Sequence, residues 1–354
     1  MINETFASNF LSIFALVSFF ITLIVQKIFN EKTKILLDQD FSKPQAFHTE
    51  AVGRSGGLSA IISLIFFIFF YFLFSKYLLI DYLLVGFFLF FIGFLDDMKI
   101  NLSPNLRLLL MIFVLLLSII LFSIKLESVD LIFLDKLLNN SLFHKIFVLL
   151  CFLFIINGAN LIDGFNGLVT IHLIIINVIL LIINLNSTEI EFTLVLSAQI
   201  IILSIFLLFN FPKAKMFLGD GGAYLFGSLT VLNVIKTNNL NPEISSFYFC
   251  ILLFYLFFEV FFSFFRKLYL KKSPLKPDND HLHMLSYNWL FKFKKFKNCN
   301  YLNSILINII YFLSILPAIF FKNNGIICRY WFFLLLAFYV IFYLKLYNKK
   351  FSDK

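Results

Sequence analysis

The chain has 354 residues, of which 61% are hydrophobic and 14% charged, against about 45–50% and about 25% in a soluble globular domain. That balance excludes a water-soluble enzyme, and apolar blocks of about 20 residues predict repeated crossing of a bilayer. The net charge of +9 needs no nucleic acid as partner, because basic loops beside anionic membrane lipid account for it.

Eleven apolar segments follow in chain order, at 9–29, 57–75, 77–95, 106–124, 145–162, 167–185, 192–210, 222–236, 245–265, 301–321 and 329–346. Read as helices, they give an all-α polytopic transmembrane helical bundle of about 11 spans. The first has no basic stretch before it and no small-residue cleavage site, so it is a retained helix and not a signal peptide. The span at 222–236 is the shortest and starts at a glycine pair. No insertion is large enough to hold a second core, so residues 1–354 are read as one domain. The 53 Phe residues spread through every apolar block and read as lipid-facing filler. Cys151, Cys250, Cys299 and Cys328 form no CxxC pair, which leaves neither a zinc nor a redox motif.

An odd number of spans puts the termini on opposite sides, and Lys and Arg favour cytoplasmic loops. The face with 27–56, 96–107, 210–221, 266–300 and the C-terminal tail carries 22 of the 29 basic residues. The N-terminus is therefore expected outside and the C-terminus in the cytoplasm. Five polar segments fall on that same cytoplasmic face, in the loops 30–56, 96–105, 157–168, 210–222 and 266–300.

The first, Lys43 to Gly57 with His48 inside it, is by itself a basic loop ending in a glycine pair. The second, Asp96-Asp97, closes an apolar helix where Lys or Arg would make the usual stop. Carboxylates at a membrane edge are functional candidates, and a pair suits a hard divalent cation or acid–base work. In the third, Asn157, Asn160 and Asp163 recur at a spacing of three, which stacks them on one helix face. Asn166 and three glycines complete that segment, and the glycines let backbone approach a ligand. In the fourth, Asn210 precedes Phe217-Leu218-Gly219-Asp220-Gly221-Gly222, a turn into a helix. Its N–H groups suit phosphate, and Asp220 suits the counter-ion. The fifth holds Asp278, Asp280, His281 and His283, which can handle phosphate, or zinc if a third ligand joins them. The basic runs at 271–272 and 292–297 suit anionic lipid headgroups. Glu259 is a further acid inside an apolar segment.

Carboxylates, amides and glycines on one face describe a metal–phosphate site. A nucleotide diphosphate and a lipid phosphate repel unless a cation bridges them, and Mg²⁺ prefers oxygen ligands and phosphates. Phosphoryl transfer needs positioning and charge neutralisation above all. No G-x-x-x-x-G-K-[ST] motif is present, which counts against an ATP-driven pump.

The set Gly56-Gly57, Gly93-Phe94-Leu95-Asp96-Asp97, Asn160-Leu161-Ile162-Asp163-Gly164, Asn210, Phe217-Leu218-Gly219-Asp220 and Asp278 to His283 resembles the polyprenyl-phosphate N-acetylhexosamine-1-phosphate transferase family, in order and spacing, from His48 to His283. The resemblance implies transfer of an N-acetylhexosamine-1-phosphate from a UDP-sugar, foremost UDP-GlcNAc, to undecaprenyl phosphate, with release of UMP. That step would start a cell-envelope polysaccharide at the inner (plasma) membrane. It further implies that Asp220 and Asn160 contact Mg²⁺, or Mn²⁺ in its place. Asp96 or Asp97 would orient or deprotonate the lipid phosphate. Asp163 and Asn166 would hold the nucleotide end, with Phe217 and Asn210 near the uracil and His48 also touching substrate. His281 and His283 would contact phosphate or sugar. A homodimer is compatible with this reading. Four positions depart from the family pattern. Asn166 stands where Asp is frequent, Met284 where a third His is common, Gly53 where Pro is common and Glu259 where Asp is usual. The missing third His disfavours the muramyl-pentapeptide donor of peptidoglycan synthesis. A polytopic transporter is the alternative from another class, although transporter polar groups gather at the bilayer midplane.

Overall fold

The structure is a computed structural model that describes residues 4–29, 36–38, 51–100, 102–185, 189–274, 276, 278–292 and 298–352. The chain opens with α1 (Glu4–Gln26) and a short antiparallel ribbon, β1 (Leu37–Asp38) with β2 (Val52–Gly53). Four helices follow, α2 (Gly56–Ser75), α3 (Ile80–Asp97), α4 (Pro104–Leu121) and the short α5 (Ile132–Leu138). The middle of the chain forms α6 (Ser141–Ile162), α7 (Leu168–Asn184), α8 (Ile190–Asn210) and α9 (Gly219–Leu240). The rest folds into α10 (Ser246–Leu252), α11 (Phe254–Tyr269), α12 (Leu282–Lys292), α13 (Cys299–Phe320) and α14 (Gly325–Ser352). The protein is thus an all-α polytopic helical bundle.

Each of the eleven apolar segments coincides with helix, and the helices differ in length and apolarity. Among the described residues, seven helices are long and apolar enough to cross a membrane: α1, α2, α4, α6, α8, α13 and α14. The ninth segment breaks at Leu253 into α10 and α11, which meet at 73° and make an eighth span if taken together. α3 falls short because it carries Asp81, Asp96 and Asp97, and α7 is only 17 residues long. α9 falls short because it is polar, with Thr230, Asn233, Thr237 and Asn238 on it.

The polarity of α9 follows from its position. It runs through the middle of the bundle, packed by α2, α3, α6 and α7, so almost all of its length is buried. A helix surrounded by protein has no lipid to please, and small or amide side chains let neighbours approach and hydrogen-bond. Asn233 Nδ2 donates to Asn177 Oδ1 at 2.9 Å and to Gln199 Oε1 at 2.8 Å, which ties α9 to α7 and α8. Where α3 crosses the start of α9 the backbones touch. A Cβ on Gly93 would lie 2.5 Å from the carbonyl carbon and oxygen of Asp220. This crossing brings the end of α3 against the beginning of α9.

The ribbon performs a related task. Phe217 N donates to Gly53 O at 2.8 Å, and Gly56 N donates to Phe217 O at 2.9 Å. The segment entering α2 is thereby laced to the segment entering α9. Two helices were not foreseen from hydropathy: α5, which has only seven residues, and α12, which forms inside the basic loop 266–300.

Candidate active site

The site is built around the first turn of α9. Gly219 has φ +76, a conformation open to glycine and costly for side chains. A Cβ there would sit 2.6 Å from Asp97 Oδ2. Asp97, the last residue of α3, is 2% exposed. Its Oδ1 accepts from Asp220 N at 3.0 Å and its Oδ2 from Gly221 N at 2.9 Å. Orphan N–H groups and the helix dipole favour an anion at this position, and here the protein supplies its own carboxylate. This changes the expectation from the sequence. The N–H groups of Asp220 and Gly221 hold Asp97 and are not open to a phosphate.

Four more carboxylates converge on this turn. Arg107 Nη1, on α4, donates to Asp96 Oδ2 at 2.8 Å and to Asp220 Oδ2 at 2.9 Å. Arg54 donates through Nε and Nη2 to Asp38 Oδ2, at 3.0 and 2.7 Å. Its Nη1 lies 3.6 Å from Asp97 Oδ1 and 4.0 Å from Asp220 Oδ1. Burial alone would favour a neutral Arg54, but Asp220, Asp97 and Asp38 outweigh it and hold the guanidinium charged. Asp163 follows α6 directly and accepts a hydrogen bond from the backbone of Gly219. Burial, then the charge of Asp220, pushes its carboxyl up to about 7.

Sequence reasoning found Asp96, Asp97, Asp163 and Asp220 but missed Arg54, Arg107 and Asp38. The basic residues looked like ordinary members of a positive face. The signal for Arg107 was its isolation, as one arginine at the start of an apolar helix, four residues after the capping Ser103.

The donor set suits a hard cation. Two guanidinium groups face five carboxylates, Asp38, Asp96, Asp97, Asp163 and Asp220, so the carboxylates outnumber the cationic side chains, and a cation beside them would favour their ionised forms. Among the described residues no three His, Cys, Asp or Glu side chains converge closely enough to hold a metal unaided. Mg²⁺ fits that situation, since it is bound through one or two carboxylates together with substrate phosphates. Asn160 lies on the last turn of α6, half-buried, and its carbonyl accepts from Asp163 N at 3.3 Å.

Asn210 was expected beside the substrate. In the structure it is 5% exposed. Its Oδ1 accepts from Gly167 N at 2.6 Å and its Nδ2 donates to Met216 O at 2.9 Å. Both ends of the amide therefore join the loop after α6 to the loop before α9. Asn166 works in the same seam, with its N donating to Asn300 Oδ1 at 2.8 Å and its Nδ2 to Pro212 O at 3.0 Å. Phe217 is half-buried between the ribbon and α2. His48 lies outside the described residues.

A second polar cluster sits across the same loop. The ring of Phe165 stands edge-on to His283 with centroids 5.9 Å apart. His281 Nδ1 lies 3.0 Å from Glu259 Oε1, and its Nε2 lies 3.2 Å from Asp278 Oδ1. His283 Nδ1 is 3.3 Å from Tyr255 Oη, while its Nε2 is buried without a partner. Burial lowers the His283 imidazole to about 3, so it is neutral and able to accept a proton donor or donate one itself. Asp278 resists the cost of burial through its hydrogen bond from Arg266 and the nearby His281, and is held below the usual carboxylate range. Asp278 and Asp280 are engaged by Arg266, and among the described residues no group of three ligands for zinc forms around the two histidines.

Residues 79–238 match the family model described as glycosyl transferase family 4. The chain is 30% identical over 282 residues to the undecaprenyl-phosphate alpha-N-acetylglucosaminyl 1-phosphate transferase of Thermotoga maritima, covering 79% of this chain and 82% of that one. It is 29% identical over 240 residues to the phospho-N-acetylmuramoyl-pentapeptide-transferase of Dictyoglomus turgidum, covering 64% and 76%. It is 23% identical over 304 residues to the probable undecaprenyl-phosphate N-acetylglucosaminyl 1-phosphate transferase of Bacillus subtilis, covering 84% and 80%. The family match spans Asp96 to Asp220 and ends before Glu259 and the two histidines.

Proposed function

Because the chain belongs to glycosyl transferase family 4 and is a polyprenyl-phosphate sugar-1-phosphate transferase, we propose that it moves N-acetylglucosamine-1-phosphate from UDP-GlcNAc to undecaprenyl phosphate. The transporter alternative falls with the family. UMP leaves, and the lipid-linked sugar diphosphate starts a cell-envelope polysaccharide at the inner (plasma) membrane. The observation that carries this reading is the convergence of Asp96, Asp163 and Asp220 with Arg54 and Arg107 on one turn of α9.

The residues divide the work by their surroundings. Asp220 and Asn160 would hold Mg²⁺, which when bound neutralises the phosphates of donor and acceptor. Asp97 is spent on the backbone of α9 and acts as a positioning residue. Asp96, on the neighbouring position and less enclosed, is left to face the acceptor phosphate and take its proton. The new bond joins an acceptor phosphate oxygen to the β-phosphorus of the donor, the one that carries the sugar. The bond that breaks joins that phosphorus to the bridging oxygen, which departs with UMP. Arg54 and Arg107 offset charge as the phosphates approach. Asp163 and Asn166 hold the nucleotide end, Asn210 fixes the loop that carries them, and His281 and His283 meet sugar or phosphate. This site faces the cytoplasm, with the N-terminus outside.

The Dictyoglomus turgidum relative keeps the muramyl-pentapeptide donor as a second reading. Against it, the position where a third His is common holds Met284, wholly buried and without a polar atom to offer. A panel of radiolabelled UDP-sugars with undecaprenyl phosphate and Mg²⁺ tests the choice. Lipid product from UDP-GlcNAc is expected. Product from UDP-MurNAc-pentapeptide alone would overturn the donor, and none from any donor would overturn the reaction.

A further inference from the structure

The last helix, α14, lies far beyond the family match, and the proposed chemistry gives it no role. Yet three of its side chains reach the acidic and histidine cluster. Tyr339 Oη donates to Glu259 Oε2 at 2.6 Å. Tyr343 Oη donates to the carbonyl of Asp280 at 2.9 Å. Lys350 Nζ meets Asp280 Oδ1 at 2.5 Å. Spacings of four and seven residues put all three on one side of the helix. Tyr339 is 4% exposed and Tyr343 is 2% exposed.

Each contact limits where His281 can sit. Glu259 is 1% exposed on α11. With Oε2 taken by Tyr339, its Oε1 is turned toward His281 Nδ1 and toward Leu282 N, which donates at 3.1 Å. Asp278 reaches His281 from the other side and is itself fixed by Arg266 Nη2 at 3.0 Å. Between Asp278 and His281 the chain has little regular structure of its own, and Tyr343 and Lys350 hold it at Asp280. Arg266 lies over the Tyr343 ring at 5.9 Å, which links the two halves of the clamp. Phe258 and Phe262 pack edge-on to Tyr339, at 4.9 and 5.4 Å between centroids. A hydroxyl so enclosed is not free to turn elsewhere.

We infer that Tyr339, Tyr343 and Lys350 of α14 are positioning residues that brace the His281–His283 segment in its working place against the donor. The inference rests on the proposed role of these histidines. Leaving one oxygen of a buried carboxylate without its donor costs free energy, and a turn of Glu259 to relieve that cost would release His281. Displacement of a contacting group by about 1 Å costs on the order of 100-fold in rate, so partial release is expected to cost about tenfold.

The test uses full-length protein with Tyr339→Phe, Lys350→Met, Lys350→Arg and, as a control, the exposed Lys345→Met. Initial rates are measured against UDP-GlcNAc and separately against undecaprenyl phosphate. Melting temperature and hydrogen exchange of 278–286 are followed on the same samples. Expected are a roughly tenfold fall in kcat/KM for the donor in Tyr339→Phe and Lys350→Met, with KM for the acceptor within twofold. Recovery in Lys350→Arg and faster exchange in 278–286 are also expected. Donor kinetics within twofold of the parent in both variants, or equal losses for both substrates tracking a lower melting temperature, would overturn the inference. An inactive parent enzyme would instead overturn the proposed reaction, and the exchange measurement would still decide whether α14 braces the segment.

Discussion

Replacing Arg107 by Met would expose the electrostatic design of the site. Asp96 Oδ2 and Asp220 Oδ2 both bond the same Nη1. They are therefore within about 6 Å of each other, and unit charges at that distance repel by about 3 kcal/mol at an effective dielectric of about 20. In the parent protein Arg107 offsets this repulsion, whereas in the variant the more distant Arg54, with Nη1 4.0 Å from Asp220 Oδ1, is left to do so. The penalty is full where both carboxylates are ionised and disappears when pH falls and one of them takes a proton. At pH 8 the variant should melt roughly 5 °C below the parent, at about 2 °C per kcal/mol for a chain of this size. At pH 5 the gap should narrow. Mg²⁺ should raise the melting temperature of the variant more than that of the parent, because a divalent cation can take over the missing charge. The assay is thermal unfolding in detergent at both pH values, with and without Mg²⁺. A deficit that is equal at both pH values and indifferent to Mg²⁺ would mean that Arg107 does not act by offsetting the repulsion between Asp96 and Asp220.

Two further outcomes follow from the same turn of α9. Gly219→Ala forces a side chain into φ +76 and toward the Asp97 carboxylate, at a cost of about 1–3 kcal/mol. Its melting temperature and transfer rate should both drop, while Gly164→Ala, with nothing within 4 Å of its Cβ, should melt near the parent. Asp163, with its carboxyl pushed up to about 7, should give the donor kcat/KM an acid limb. The ionised form binds, so activity falls as pH drops below about 7, and the limb should vanish in Asp163→Asn. A limb that survives that substitution would assign it to another group.

Much of this architecture was legible in the sequence, for physical reasons that also explain the gaps. Apolar length marks a helix wherever lipid must be satisfied, so α1, α2, α4, α6, α8, α13 and α14 were plain. The same signal does not reveal that α9 is enclosed by protein or that α10 and α11 form a bent pair. Short α5 and α12 owe their helicity to packing, which hydropathy does not see. In the site, Asp96, Asp97, Asp163 and Asp220 were visible because carboxylates at a membrane edge are costly without a task. Arg54 and Arg107 were hidden by the positive-inside rule, which already accounts for basic residues on that face. Asn210 was read as a substrate contact because a buried amide that closes a loop and one that meets a ligand are identical in sequence. The brace on α14 was invisible for another reason: Tyr339 and Tyr343 sit in an apolar stretch where tyrosine looks like packing.

Exchange of one phosphoanhydride for another should run near equilibrium without ATP. The most direct measurement gives the purified protein undecaprenyl-diphosphate-GlcNAc, Mg²⁺ and labelled UMP, and follows labelled UDP-GlcNAc. Label should enter UDP-GlcNAc in the presence of the lipid-linked sugar, and the rate should collapse in Asp220→Asn. No label in UDP-GlcNAc from a preparation that forms the lipid product in the forward direction would contradict the account.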